Sequence, residues 1–96
     1  MSHTVRHETD FQRFVTTVDG EDAYVAYEPG DGNRWILTHT YTPTSLRGRG
    51  IAGAVVRAAL ETARNEGKTV VPVCWYAEGF IQRHPEFQDL VADSDS

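Results

Sequence analysis

Three groups of residues in this chain could do chemistry. The first is the run Ser45-Leu46-Arg47-Gly48-Arg49-Gly50-Ile51-Ala52-Gly53-Ala54. It lies between a strand-like stretch, Trp35 to Tyr41, and a helix-like stretch from about Ile51 to Asn65. Glycines let a ligand approach the backbone. The first N–H groups of a helix lack intrahelical partners, and the helix dipole adds partial positive charge there. Such a place suits an anion, phosphate above all. The backbone of Arg49 to Gly53 would supply the donors, and Arg47 and Arg49 could add charge-assisted bonds. On the glycines alone, the plainer reading is a tight turn opening a helix of small residues packed on a sheet.

The second group is Cys74 with Trp75 and Tyr76, and the third is His39-Thr40-Tyr41. Cys74 has three readings: a small buried hydrophobe, a polar anchor or acid beside a sulfur leaving group, or a nucleophile. The nucleophile would need a base such as His39. That histidine has a suitable unperturbed pKa, and it reads equally well as structural. Tyr76 reads first as a packing residue. His3 and His7, four apart, could hold a metal on a helix, but no third ligand accompanies them and no metal site is expected.

Two common nucleotide fingerprints do not account for the loop. A phosphate-binding Walker loop needs Lys and then Ser or Thr after its last glycine, and Gly50 is followed by Ile51. Gly48-Arg49-Gly50-Ile51-Ala52-Gly53 matches the dinucleotide pattern, but no acidic ribose partner ends a second strand.

Arg47-Gly48-Arg49-Gly50-Ile51-Ala52 also fits Arg/Gln-x-x-Gly-x-Gly/Ala. In that respect it resembles the pyrophosphate-binding motif of the GNAT superfamily of acyl-CoA-dependent N-acetyltransferases. Around it stand His39-Thr40-Tyr41-x-Pro43 and Leu46-Arg47-Gly48-x-Gly50-Ile51-Ala52. Val71-Pro72-x-Cys74 and Phe80-Ile81-x-Arg83-His84-Pro85 follow. This ordered set resembles a subfamily of single-domain GNAT-like proteins of roughly a hundred residues. The resemblance runs from about Asp19 to Val91.

The resemblance implies acetyl-CoA as cosubstrate. Its pyrophosphate would sit on Arg47, Gly48, Arg49, Gly50, Ile51, Ala52 and Gly53, with Tyr41 beside them. Its pantetheine arm would lie in a gap between the strands that flank the helix, and the acetyl group would pass directly to an amine. Cys74 becomes the leading catalytic candidate. Tyr76 stands near the place of a tyrosine that protonates the CoA thiolate in many relatives. The acceptor would be an amine on a small molecule or a protein.

One departure bears on activity. Full-length domains of the superfamily carry two helices between their first strands, whereas only a tight turn separates Val18 from Asp22 here. The acceptor half is reduced or missing. An acyl-CoA-binding module without turnover is therefore the first rival reading. An RNA-binding or interaction protein using the Arg47–Arg49 loop is the second.

The chain of 96 residues allows one domain with a modest core. Its net charge of −5 argues against nucleic acid as the main partner. No stretch is long and apolar enough for a membrane span, the N-terminal residues show no signal pattern, and Cys74 has no partner cysteine, so a cytoplasmic location is expected. A monomer or weak homodimer is expected.

Three strands should position the chemistry. Phe14, Thr16 and Val18 alternate, Asp19-Gly20 is a hairpin turn, and Ala23, Val25 and Tyr27 alternate again. Pro29 to Asn33 reads as a second turn, and Arg34 to Thr42 as a third strand. A helix from about Gly50 to Asn65 carries Ala52, Val55, Val56, Ala59, Leu60 and Ala63 on one stripe. Arg57, Glu61 and Arg64 lie opposite, and Gly67 caps it. Thr69 to Cys74 is a strand parallel to the third, with Pro72 marking a sheet edge or a divergence. A short helix from Tyr76 to about Arg83 follows, stopped by Pro85, and Glu86 to Val91 could add one more turn. The expected fold is α+β (mixed α/β): three antiparallel strands, a crossover helix, a parallel fourth strand and a C-terminal helix. Residues 1–10 read as a flexible lead-in, 11–91 as the domain and 92–96 as an acidic tail. Ligands of parallel sheets bind beyond the carboxyl ends of the strands. Here that places His39 to Tyr41, Cys74 to Tyr76 and the glycine run together.

Overall fold

The computed structural model describes residues 4–91. Five strands form one sheet in chain order: β1 (Arg6–Glu8), β2 (Arg13–Val18), β3 (Glu21–Gly30), β4 (Arg34–Tyr41) and β5 (Thr69–Pro72). Neighbours among the first four are antiparallel, and β5 runs parallel to β4. Helix α1 (Ile51–Asn65) makes the crossover between β4 and β5, and α2 (Trp75–Arg83) follows β5. The expected α+β fold is present, with one more edge strand than the sequence signalled.

That strand lies inside the stretch read as a flexible lead-in. Three residues carry no periodic signature of their own, so β1 owes its existence to its partners on β2. His7 sits opposite Phe14, with ring centroids 4.1 Å apart, and its Nε2 is 2.6 Å from the Tyr27 hydroxyl. Trp35 closes the cluster edge-on at 5.5 Å. Burial lowers the His7 pKa below its ordinary value, with Glu66 opposing the shift. His3, and the expected tail at 92–96, lie outside the described residues.

The turns follow local chemistry. Asp19 and Gly20 both have positive φ, at 53° and 78°, as a two-residue hairpin with matching twist requires. The second turn is shorter than expected: Pro29 and Gly30 belong to β3. Pro29 is tolerated there because β3 has outrun β2, whose last partner is Ala26, so nothing awaits a proline N–H on that side.

Helix α1 buries Ile51, Val55, Val56, Ala59, Leu60 and Ala63 against the sheet. Each such side chain contributes roughly 1.5–3 kcal/mol on removal from water, less for alanine. The helix ends in a Schellman closure. Lys68 N–H donates to Ala63 O at 2.8 Å and Gly67 N–H to Arg64 O at 3.2 Å, with Gly67 at φ 71°. Arg57 and Arg64, on the face opposite the buried stripe, reach the C-terminal segment. Arg57 lies over Phe80 and Phe87, and Arg64 grips Asp89 with two bonds of 3.0 Å and the Glu86 carbonyl at 2.6 Å. Both helices share one core with Phe14, Val25, Trp35 and Leu37, and the other face of the sheet carries no α-helix among the described residues.

Candidate functional site

The site begins where β4 and β5 part. Their last paired residues are Leu37 and Pro72. Beyond them the N–H groups of Val73 and Cys74 both donate to the Leu37 carbonyl, at 3.1 and 2.9 Å, so the chain turns away instead of extending the ladder. Pro72 thus stands both on the edge strand and at the divergence. Past this point β4 continues through His39, Thr40 and Tyr41, paired with β3 but no longer with β5.

A β-bulge decides which way those residues face. Tyr27 pairs with Leu37, but Ala26 pairs with His39, leaving Thr38 unopposed. The extra residue shifts the alternation by one. Thr40, opposite Val25, therefore faces the helices, while His39 and Tyr41 turn to the uncovered face against Tyr24, at 6.0 and 5.7 Å between rings. Without the bulge, His39 would share a face with Leu37.

Cys74 is the N-cap residue of α2. Its Sγ lies 3.2 Å from Thr40 Oγ1, bridging the two diverging strands. A thiol donates to that hydroxyl, and a thiolate would accept from it. Burial pushes the Cys74 pKa up. Thr40 and the backbone amides of Ala77, Tyr76 and Thr40 outweigh burial, so the thiol lies below its ordinary value. The α2 amides act at a distance, since no capping bond of strict geometry closes between them and Sγ.

The glycine run forms the other wall. Gly48 and Gly50 take φ of 79° and 75°, and a Cβ at either would meet nothing within 4 Å. Their missing side chains leave open space rather than close packing. Gly50 is the N-cap of α1, with no side-chain cap and no acidic residue in the first turn, so the positive end of that helix is left to the cleft. Arg47 Nε donates to the Thr42 carbonyl at 3.2 Å, holding the guanidinium at the rim. Arg49 points elsewhere, to Asp19 at 3.5 Å.

Between the walls lies a cleft of about 600 Å³. It brings together His39, Tyr41, Arg47, Gly48, Gly50, Ile51, Ala52 and Tyr76 of the expected site residues. Ala52, expected on the core stripe, lines the cleft, and Ile51 at the cleft floor is buried. Arg49, Gly53 and Cys74 do not line the cleft. A Cβ on Gly53 would stand 3.4 Å from Phe80 Cε2 and 3.5 Å from the Tyr76 hydroxyl, so this glycine lets α2 approach α1 and seats Tyr76. Cys74 lies behind the wall, joined to it through Thr40.

Thr40, Thr42 and Trp75 also line the cleft; the sequence placed Thr40 and Trp75 at the strand ends without a role of their own and left Thr42 unmarked. A strand threonine gives no signal of function, and no local pattern announces the bulge that aims Thr40. Trp75 stands out only in the structure. It is 80% exposed beside Val73 at 65%, an apolar pair at the mouth of the Cys74 end.

Comparison with known proteins agrees with this fold. A family profile described as GCN5-related N-acetyl-transferase matches residues 13–90. Protein NATD1 of Bos taurus is 31% identical over 83 residues, covering 84% of this chain and 74% of the relative. Protein NATD1 of Danio rerio is 30% identical over 88 residues, covering 90% and 80%. The solution structure of a GCN5-like protein from Staphylococcus aureus superposes with a TM-score of 0.68 over 96% of this chain and 91% of its own, at 21% identity, a likeness of fold.

Proposed function

The chain belongs to the GCN5-related N-acetyltransferase family, and from that premise we propose that it transfers the acetyl group of acetyl-CoA to an amine. The observation that carries this reading is one cleft joining an uncapped helix N-terminus, two left-handed glycines and a gap between parallel strands. A thioester cosubstrate with a pyrophosphate at one end and a slender arm fits that shape. The α1 amides, Gly48, Gly50 and Arg47 would hold the phosphates, with Arg49 free to join on leaving Asp19. The β4–β5 gap, flanked by Tyr41, Thr40 and Tyr76, would take the arm.

The acyl carrier supplies an activated acetyl group, and this chain's residues bind it, orient it and move protons. The bulge divides the proton work between faces. His39, on the uncovered face, is placed to accept a proton from an incoming amine. Tyr76 and the Thr40–Cys74 pair stand on the other side, where a leaving thiolate would need a proton or a hydrogen bond. Transfer is direct, because His39 faces away from the thiol it would have to activate. The protein is a cytoplasmic monomer or weak homodimer, and its acceptor is a small-molecule or protein amine.

One observation favours a second reading, an acyl-CoA-binding module without turnover: among the described residues no α-helix covers the face from which an amine would come. A thermal-shift titration with CoA and acetyl-CoA tests the common part. A ligand at a hundredfold excess over its Kd stabilises the native state by about 2.7 kcal/mol, a shift of many degrees in so small a domain. No shift with millimolar CoA sinks both readings. Amine-dependent thiol release then separates them: the transferase shows it with at least one amine class, the module with none.

A further inference from the structure

We propose that the Thr40 hydroxyl is the group that gives a proton to the leaving thiolate, and that Cys74 acts only through it; this deepens, and rests on, the reading of the cleft as an acetyl-transfer site. The observation that carries it is a division between two bonded residues. Half-buried Thr40 lines the cleft and Cys74 does not, yet Cys74 Sγ donates to Thr40 Oγ1 at 3.2 Å. A thiol behind the wall reaches a sulfur in the cleft by way of the residue that forms the wall.

The backbone builds this pair. The Cys74 N–H is held on the Leu37 carbonyl at 2.9 Å, and the residue stays extended as the N-cap of α2. The bulge at Thr38 turns Thr40 to the helix side of the sheet, where the thiol is. A hydroxyl has one hydrogen and two lone pairs, and it rotates to suit its partners. One lone pair of Thr40 takes the thiol hydrogen. Among the described residues the hydroxyl hydrogen of Thr40 has no side-chain or carbonyl acceptor of its own. It is left for an acceptor in the cleft.

The proton count closes. In the acyl-CoA reading the phosphates take Gly48 and Gly50, which leaves the thioester to the end bounded by Thr40 and Tyr76. As the carbon–sulfur bond breaks, the departing sulfur takes the Thr40 hydroxyl hydrogen. The Thr40 oxygen takes the Cys74 thiol hydrogen in the same step, so threonine never becomes an alkoxide and the negative charge ends on Cys74. The amine's proton leaves through His39, and Cys74 regains a proton from water before the next turnover. The direction is favourable. Burial pushes the Cys74 pKa up, but Thr40 and the backbone amides of Ala77, Tyr76 and Thr40 hold it below the ordinary thiol value. The departing group is an ordinary alkyl thiolate, so the proton moves to the stronger base.

The test reads thiol release from acetyl-CoA with the most active of three amines, a lysine-containing peptide, spermidine and aniline. CoA affinity is measured beside it by calorimetry. Thr40→Val keeps the shape and removes the hydroxyl. It should lose about a hundredfold in kcat while KM for acetyl-CoA and the affinity for CoA stay as in the parent. Cys74→Ala should lose as much, and the double variant no more than either alone. Thr40→Ser should recover the parent rate to within about threefold. Cys74→Ser keeps a hydrogen bond to Thr40 but offers a far weaker acid, so it should be as slow as Cys74→Ala. Thr40→Ala repeats the measurement should the valine variant not fold. Parent turnover in Thr40→Val leaves the proton to Tyr76 and overturns the proposal while acetyl transfer stands. Losses that multiply in the double variant make the two residues independent, and parent turnover in Cys74→Ser makes the pair a structural clasp; either overturns the relay. A parent that binds CoA yet releases thiol with none of the amines removes the acetyl-transfer reading and the relay with it.

Discussion

Helix α1 has two ends, and they are built on opposite principles. At its C-terminus the Schellman closure satisfies the last carbonyls, and Arg64 fastens the C-terminal segment. The nearby His7 ring is stacked, hydrogen-bonded and half-buried. At its N-terminus no side chain caps the helix, Gly48 and Gly50 hold left-handed conformations, and Thr42 Oγ1 has no partner. One end spends its polar groups on the fold, and the other withholds them. On the proposed function, ligand binding falls at one end of this helix and stability at the other.

The comparison breaks most decisively at Gly50. Gly50→Glu puts a side chain and a negative charge at the helix N-cap, where φ is 75°. It should abolish the CoA-dependent thermal shift. The left-handed backbone should cost only about 1–2 kcal/mol of stability. Binding at the parent's affinity would place the pyrophosphate elsewhere. The reciprocal change is Leu60→Ala, in the fully buried core. It should lose about 2–5 kcal/mol by urea unfolding while the folded fraction keeps its CoA affinity. Binding lost in proportion to stability would show that the two ends are not separable.

Cys74→Ala should sharpen the division within the cleft. The variant removes the Thr40 partner but no wall, so CoA affinity should hold while turnover falls by about a hundredfold. Unchanged turnover would retire the thiol from catalysis and leave His39 and Tyr76. Mass spectrometry of the parent with acetyl-CoA and no amine should show no acetyl adduct on Cys74, as direct transfer requires.

At the closed end the expected effect is smaller and depends on pH. His7 has a lowered pKa in the folded state, so below about pH 6.5 the unfolded chain takes up a proton that the folded chain resists. The stability it supports is full above that pH and is lost as pH falls toward the folded value. Urea midpoints between pH 8 and about 5 should decline in the parent and flatten in His7→Phe. An identical slope in both would remove His7 as the cause. The smallest effect belongs to Asp19→Asn. It releases Arg49 from an exposed pair, so stability should move by less than about 0.5 kcal/mol, with a slight gain in CoA affinity at low salt. A gain above about tenfold would make Asp19 a true competitor for the phosphate site.

Features set by near neighbours in the chain were legible in the sequence. Asp19-Gly20 needs no distant partner to make a hairpin turn, Gly67 none to cap a helix, and the Val55–Ala63 stripe none to choose its buried face. The glycine turn opening α1 was readable for the same reason: turn and helix start are contiguous. Tertiary structure decided what depends on pairing between distant strands. β1 exists because β2 offers three partners, and His7 turned from a tail residue into a core one with it. The bulge at Thr38 exists only in the register of β3 against β4. That single residue sends His39 to one face and Thr40 to the other, beside Cys74. Side-chain alternation along a strand has period two, so an offset of one residue reverses every assignment beyond it. The sequence could name His39 and Cys74 as reactive groups, but only the paired sheet could place them on opposite faces.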